Sequence, residues 1–268
     1  MTKENTVLHH LKLLWLFLRI SVQNDAAYRV DFLANVFVTL AHFGAELVGL
    51  WTIFSNTRSL GGWNAMEVLA LLGVFRAMSG IIGLFISPNM RLIMEEIREG
   101  TLDFAILKPI NTQFFTSFRR IVVWRLADVV LGGVFITVAC TQLSAAVSAA
   151  QLILFLVMLV AGVVIIYAFW LVLATCAFWF TRINNIEMVF WNVFEAGRYP
   201  VDIYRPVIQR VLTYLIPLAF ITTYPAATLV GKIEPGNVAV ALAAATGALV
   251  LASAFWKYGL RSYSGASA

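Results

Sequence analysis

Charge is scarce in this sequence, and that scarcity decides its class. Only 12% of the 268 residues are Asp, Glu, Lys or Arg, while 61% are hydrophobic; an average soluble domain carries roughly 25% charged residues. A soluble core cannot absorb that apolar excess. A bilayer can, since each spanning helix takes about 20 mostly apolar residues. Long hydrophilic stretches are missing too: none approaches the roughly 50 residues of a separate soluble domain, so residues 1–268 read as one membrane domain. Cysteine occurs only as Cys140 and Cys176. Hydropathy sets the two near opposite membrane faces, at depths that forbid a disulfide, and both read as packing residues.

Catalytic and metal-binding patterns are also lacking. His9 and His10 are adjacent, so they point to different faces of a helix, and His42 stands alone; no metal site is supported. The only Gly-Lys pair, Gly231-Lys232, has Ala226 and Ile233 where a phosphate-binding loop needs Gly and Ser or Thr. Neither an intramembrane Gly-x-Ser-Gly nucleophile nor an aspartate cluster for metal-assisted phosphotransfer is present. The chain does not read as an enzyme, and no cofactor is expected in it.

What is there is a series of apolar runs punctuated by basic loops. The net charge of +5 comes from short segments beside those runs, which report membrane orientation rather than nucleic-acid binding. Leu8, Leu11, Leu14, Leu18 and Val22 recur every three or four residues, with Lys12 and Arg19 off that stripe. This predicts an amphipathic interfacial helix over 7–24; a helix packed on the bundle is the alternative. The two charges and the lack of a small-residue cleavage site argue against a removable signal peptide.

Spans are predicted at 32–54, 66–86, 121–141, 151–180 and 237–258. The loop SNTRSLGGWNA (55–65) holds turn-forming Gly61 and Gly62 beside Trp63, Pro88 opens a polar helix, and Gly100 is placed to close it as C′. The fourth span would measure about 45 Å as continuous helix. In the last span Ala239, Ala243 and Gly247 are four residues apart, a spacing suited to close helix approach.

After Arg182 two readings stand. Either 182–210 is a cytoplasmic loop and 211–230 the fifth span, or 186–200 is the fifth span and 199–230 is re-entrant, broken by Pro200, Pro206, Pro217 and Pro225. Both give an all-α polytopic protein of six transmembrane helices. Lys3, Lys12, Arg19 and Arg29 precede the first span, and Arg91, Arg98, Lys108, Arg119 and Arg120 lie between the second and third. Arg58 alone opposes them, so the 88–120 loop and both termini are expected on the cytoplasmic side of the plasma membrane.

Two groups of charged residues stand out. Glu46 and Arg76 lie inside spans, about 21 and 15 Å from the cytoplasmic ends, and are expected to form an interhelical ion pair that fixes packing or lines a pathway. Arg125 with Asp128, and Glu195 with Arg198, are same-helix pairs three residues apart. The second group is cytoplasmic: Arg91 with Glu95 and Glu95 with Arg98 have helical pairing spacing, Glu96 and Glu99 add negative charge, and Ile93 and Ile97 share an apolar face. Such a helix can dock on another protein, or stand solvated on its own salt bridges.

The strings SLGGW (59–63), SPNMR (87–91), REGTLDFAILKP (98–109), FRR (118–120) and GRYP (197–200) occur in order. Together they resemble the permease components of type-2 ATP-binding-cassette transporters over nearly the whole chain. The resemblance implies six spans, an N-terminal interfacial helix, a cytoplasmic coupling region at 88–109 and an extracellular re-entrant region at 200–230. That favours the second reading, although Arg205 and Arg210 would then lie outside, against the charge rule.

It further implies separate ATPase subunits carrying ATP and magnesium, and a second permease copy or a related permease, working as an exporter. Arg91, Glu95, Glu96, Arg98, Glu99, Asp103 and Lys108 become candidates for the cassette contact. A proton- or ion-coupled secondary transporter built on Glu46 is the main rival, though no inverted repeat is apparent; a membrane scaffold is another. The aromatic-rich spans would suit a hydrophobic or amphipathic cargo but equally any lipid face.

Overall fold

The computed structural model describes residues 12–23, 29–143, 147–180 and 186–263, which are helical with no strands among them. Helix α1 covers residues 12–23. It is followed by α2 (Arg29–Asn56), α3 (Ala65–Ile81), α4 (Ser87–Glu99), α5 (Asp103–Ile106), α6 (Thr112–Phe118), α7 (Leu126–Gln142) and α8 (Ala149–Thr175). Then come α9 (Ile186–Phe194), α10 (Pro206–Arg210), α11 (Tyr224–Leu229) and α12 (Pro235–Arg261). Five stretches are long and apolar enough to cross a bilayer: Val30–Asn56, Ala65–Glu99, Val123–Gln142, Ala149–Phe178 and Pro235–Arg261.

Pro88 lies in the first turn of α4, as expected, and α4 is continuous with α3. The helix runs from Ala65 to Glu99 and passes Pro88 through a π-helical turn, Ile82–Ile86. Proline has no N–H and its ring crowds the carbonyl four residues back, which here is Leu84. That carbonyl instead accepts the Val122 N–H at 2.8 Å. Asn89 completes the join: its side-chain amide donates to the Phe85 and Arg120 carbonyls at 2.6 and 2.7 Å and accepts the Arg120 N–H at 3.0 Å. Asn64 caps the helix start in a capping box with Glu67, and Gly100, at φ 73°, ends it as expected.

Helices α3 and α7 cross closely because glycines face each other. A Cβ added to Gly132 would lie 2.6 Å from both the Ala77 amide nitrogen and the Gly73 carbonyl oxygen. Gly132→Val is therefore expected to force the helices apart at a cost of about 1–3 kcal/mol, read as a lowered thermal midpoint in detergent. Gly133→Val, at a site with nothing within 4 Å, should leave the midpoint unchanged. In α12 the expected small-residue face is displaced. Ala239 and Ala243 are exposed and Gly247 has open space around it, whereas Ala241, Ala245 and Ala252 are buried, the first two in a cluster with Met158, Ala161 and Ile165 of α8.

The region after Arg182 is broken into short helical segments. Glu187 accepts from Ser87 at 2.7 Å, which places the start of α9 beside the first turn of α4. At the other end Trp63 Nε1 donates to Asp202 at 3.1 Å, and Gly61 abuts Ile203. Residues 187–202 thus travel from the α4 end to the Trp63 end in fewer residues than α3 uses. They do so because 3-10 turns at Glu195–Arg198 and Val201–Ile203 and extended backbone at Tyr199 rise more steeply than α-helix. The next segments, Pro206–Leu215 and Ala219–Leu229, are bent by 77°. Gln209 reaches back to Asp202 at 3.4 Å and Lys232 bonds the Gly62 carbonyl at 2.7 Å, so both ends of the bent pair lie at the Trp63 end.

Helix α1 buries Phe17 against Phe115, with Ser21 one turn later, while Trp15, Leu16, Ile20 and Val22 are exposed. Leu8, Leu11, Lys3, Arg182 and both chain ends lie outside the described residues. Cys140 and Cys176 are free thiols.

Candidate functional site

The expected Glu46–Arg76 pair forms, with Arg76 Nε 2.8 Å from Glu46 Oε2. It is one link of a longer chain. Arg76 Nη1 also lies 3.4 Å from Asp128 Oδ1, whose other oxygen accepts from Arg125 at 3.1 Å. Glu46 Oε1 lies 3.5 Å from Arg198, which in turn holds Glu195. The two same-helix pairs and the interhelical pair therefore fuse into Glu195–Arg198–Glu46–Arg76–Asp128–Arg125, alternating in sign and summing to no net charge. Its middle is buried: Glu46 is 7% and Asp128 1% exposed.

Local structure explains the convergence. The glycine contact brings α7 close enough for Asp128 to meet Arg76. Phe190 and Phe194 of α9 stack at 5.5 Å, and Phe194 stacks on Phe75 of α3 at 4.9 Å. The turn after α9 then carries Arg198 over the Phe75 ring at 5.6 Å and on to Glu46. Charges buried in an apolar medium persist when paired, and every member here has a partner of opposite sign.

Beside the chain lies a cavity of about 300 Å³, lined by His42, Glu46, Leu50, Arg76, Arg198 and Tyr199, among others. Two polar atoms on its walls are buried without a hydrogen bond, Glu46 Oε1 and Arg198 Nε. The site thus offers one unsatisfied acceptor and one unsatisfied donor in a wall that is part polar and part apolar. This arrangement can bind or pass a polar group. Among the described residues no group of His, Cys, Asp and Glu is placed to hold a metal ion.

At the α4 end the expected coupling residues are arranged differently from their spacing. Arg91 pairs with Glu187 at 2.5 Å rather than with Glu95, Glu96 pairs with Arg119 at 2.5 Å, and Arg98 pairs with Glu99 at 3.7 Å. Lys108 sits 3.9 Å over the Phe115 ring. Glu95 is exposed and Asp103 half-buried. Met90, Ile93 and Ile97, the apolar face of α4, are buried within the chain and so are not free for a partner. Exposed apolar surface appears instead on and just after α5, where Phe104 is 75% and Leu107 81% exposed. Sequence reasoning passed over these two; the signal was an apolar pair at i,i+3 between charges, in a loop outside any span.

The family model described as ABC-2 family transporter protein matches residues 40–267. No curated protein matches the chain. The family match covers most of the sequence and agrees with the apolar helices: the chain belongs to the ABC-2 family of transporter proteins, as a multi-pass membrane permease subunit and not the ATPase.

Proposed function

We propose that the chain is the permease of an ATP-driven exporter, in which two permease subunits, identical or related, enclose the pathway. Separate cassette subunits, carrying ATP and magnesium, dock on the α4–α5 end, which faces the cytoplasm by the charge rule. One observation carries the reading: Phe104 and Leu107 stand exposed beyond the end of the Ala65–Glu99 helix. Large apolar side chains in water at the tip of a charged segment are the anchors a protein partner uses. Glu95, Glu99 and Asp103 would form the polar rim around them.

The same geometry supplies a transmission. From Glu99 back to Arg76 is one helix of roughly 35 Å, so a displacement of the tip moves Arg76 and the charge chain with it. Alternating access then means that the chain and the adjoining cavity have two arrangements, biased by cassette closure. Purification from native membranes in mild detergent is expected to bring down a stoichiometric ATP-hydrolysing subunit. A chain that purifies alone from membranes still active in transport would sink this reading in favour of an ion-coupled transporter.

A further inference from the structure

A second cavity, of about 230 Å³, lies where the first turn of α4, the 120–125 segment and the first turns of α9 meet. Three arginines, Arg91, Arg120 and Arg125, line it with one carboxylate residue, Glu187, and with Trp124 and Trp191 in its walls. Glu187 is already occupied, accepting from Ser87 at 2.7 Å and Arg91 at 2.5 Å. Arg125 is divided between Asp128 at 3.1 Å and the Trp124 ring at 4.2 Å. Arg120 differs from both. Only its backbone is engaged, by Asn89, and among the described residues its exposed guanidinium has no ion-pair partner. The cavity is therefore lined by a cation that no described carboxylate neutralises.

Its setting is interfacial. Ile121, next to Arg120, donates its N–H to Ser21 of α1 at 3.3 Å, so the cavity lies beside the amphipathic helix. Leu126 and Val130 of α7 and Met188 and Val189 of α9, close to it in sequence, are exposed apolar residues in or beside the spans. The volume is below the roughly 300–1,000 Å³ of pockets for drug-sized ligands. We propose that this cavity binds the phosphate of an anionic phospholipid headgroup, with Arg120 as the principal contact and the acyl chains along the apolar rows of α7 and α9. Basic pockets between helices at the cytoplasmic face recognise lipid headgroups through this chemistry, and indole rings favour that depth. Three elements meet in the cavity, so an occupied site would hold the start of α9 against α4. The proposal does not depend on the cargo or on the cassette contact.

The test uses the full chain in neutral detergent, titrated with short-chain phosphatidylglycerol or phosphatidylcholine and followed by native mass spectrometry and thermal midpoint. Phosphatidylglycerol is expected to bind and raise the midpoint, and phosphatidylcholine to do neither. Arg120→Gln, at an exposed unpaired site, should fold normally yet weaken phosphatidylglycerol binding about fivefold. Lys257→Gln, an exposed cation elsewhere, should change nothing. Equal loss in both variants would mean a diffuse surface charge effect and overturn the site. Unchanged binding in Arg120→Gln would overturn it as well. Inorganic phosphate is the third arm: if it displaces the lipid at equal concentration, the site is one for a soluble anion and the lipid assignment fails.

Discussion

Arg76→Gln is expected to be the most damaging single substitution in the membrane interior, lowering stability by about 3–5 kcal/mol. The side chain lies 2.8 Å from Glu46 and 3.4 Å from Asp128, and its loss leaves two buried carboxylates near each other with nothing between them. Glu46→Gln with Arg76→Gln should recover most of the loss. In that double variant Asp128 keeps Arg125 and Arg198 keeps Glu195, each three residues away. Exchanging the charges of Glu46 and Arg76, the rescue that an isolated pair would predict, should fail, because Arg76→Glu puts a carboxylate against Asp128. Thermal midpoints of the three variants in detergent check this. If Arg76→Gln matches the double variant, the acids do not depend on Arg76 and the chain is not a unit.

The contrast between the pair and the chain shows where sequence reasoning stopped. Glu46 and Arg76 were legible because an ionisable residue in an apolar run demands a partner, and each was the clearest such residue in its span. Asp128 and Arg198 had local partners at i,i+3, so nothing in the sequence required them to look further. Their second contacts depend on the α3–α7 glycine crossing and on α9 stacking through Phe194, both tertiary facts. The five long spans followed from apolar length. Pro88 marked the start of α4, but the continuity of α4 with α3 was hidden, because the compensation comes from the Val122 N–H and Asn89, whose reach is visible only in three dimensions. The region after Arg182 was ambiguous because 187–202 uses 3-10 turns and extended backbone, which no apolar count of about 20 detects. On α12 the rule of small residues every fourth position was sound, but alanine is so frequent there that it could not choose the face.

At the α4–α5 end the proposed contact rests on apolar surface rather than charge, and paired variants separate the two. Phe104→Asp with Leu107→Asp should abolish co-purification of the ATPase subunit. Central apolar anchors each cost about 2 kcal/mol or more on truncation, so the two together amount to roughly a thousandfold in affinity. The permease itself should remain monodisperse with an unchanged midpoint, since these side chains are 75% and 81% exposed and substitutions at such sites usually stay within about 0.5 kcal/mol. Glu95→Gln with Glu99→Gln should do much less, altering the salt dependence of assembly more than its strength, because rim charges are screened by solvent. Glu96→Gln belongs to a different class. It breaks the 2.5 Å pair with Arg119 that ties α4 to the end of α6, so any loss of coupling there should come with a lower midpoint. If the charge variants dissociate the ATPase while the Phe104 and Leu107 variant retains it, the contact is electrostatic and the exposed tip has another purpose.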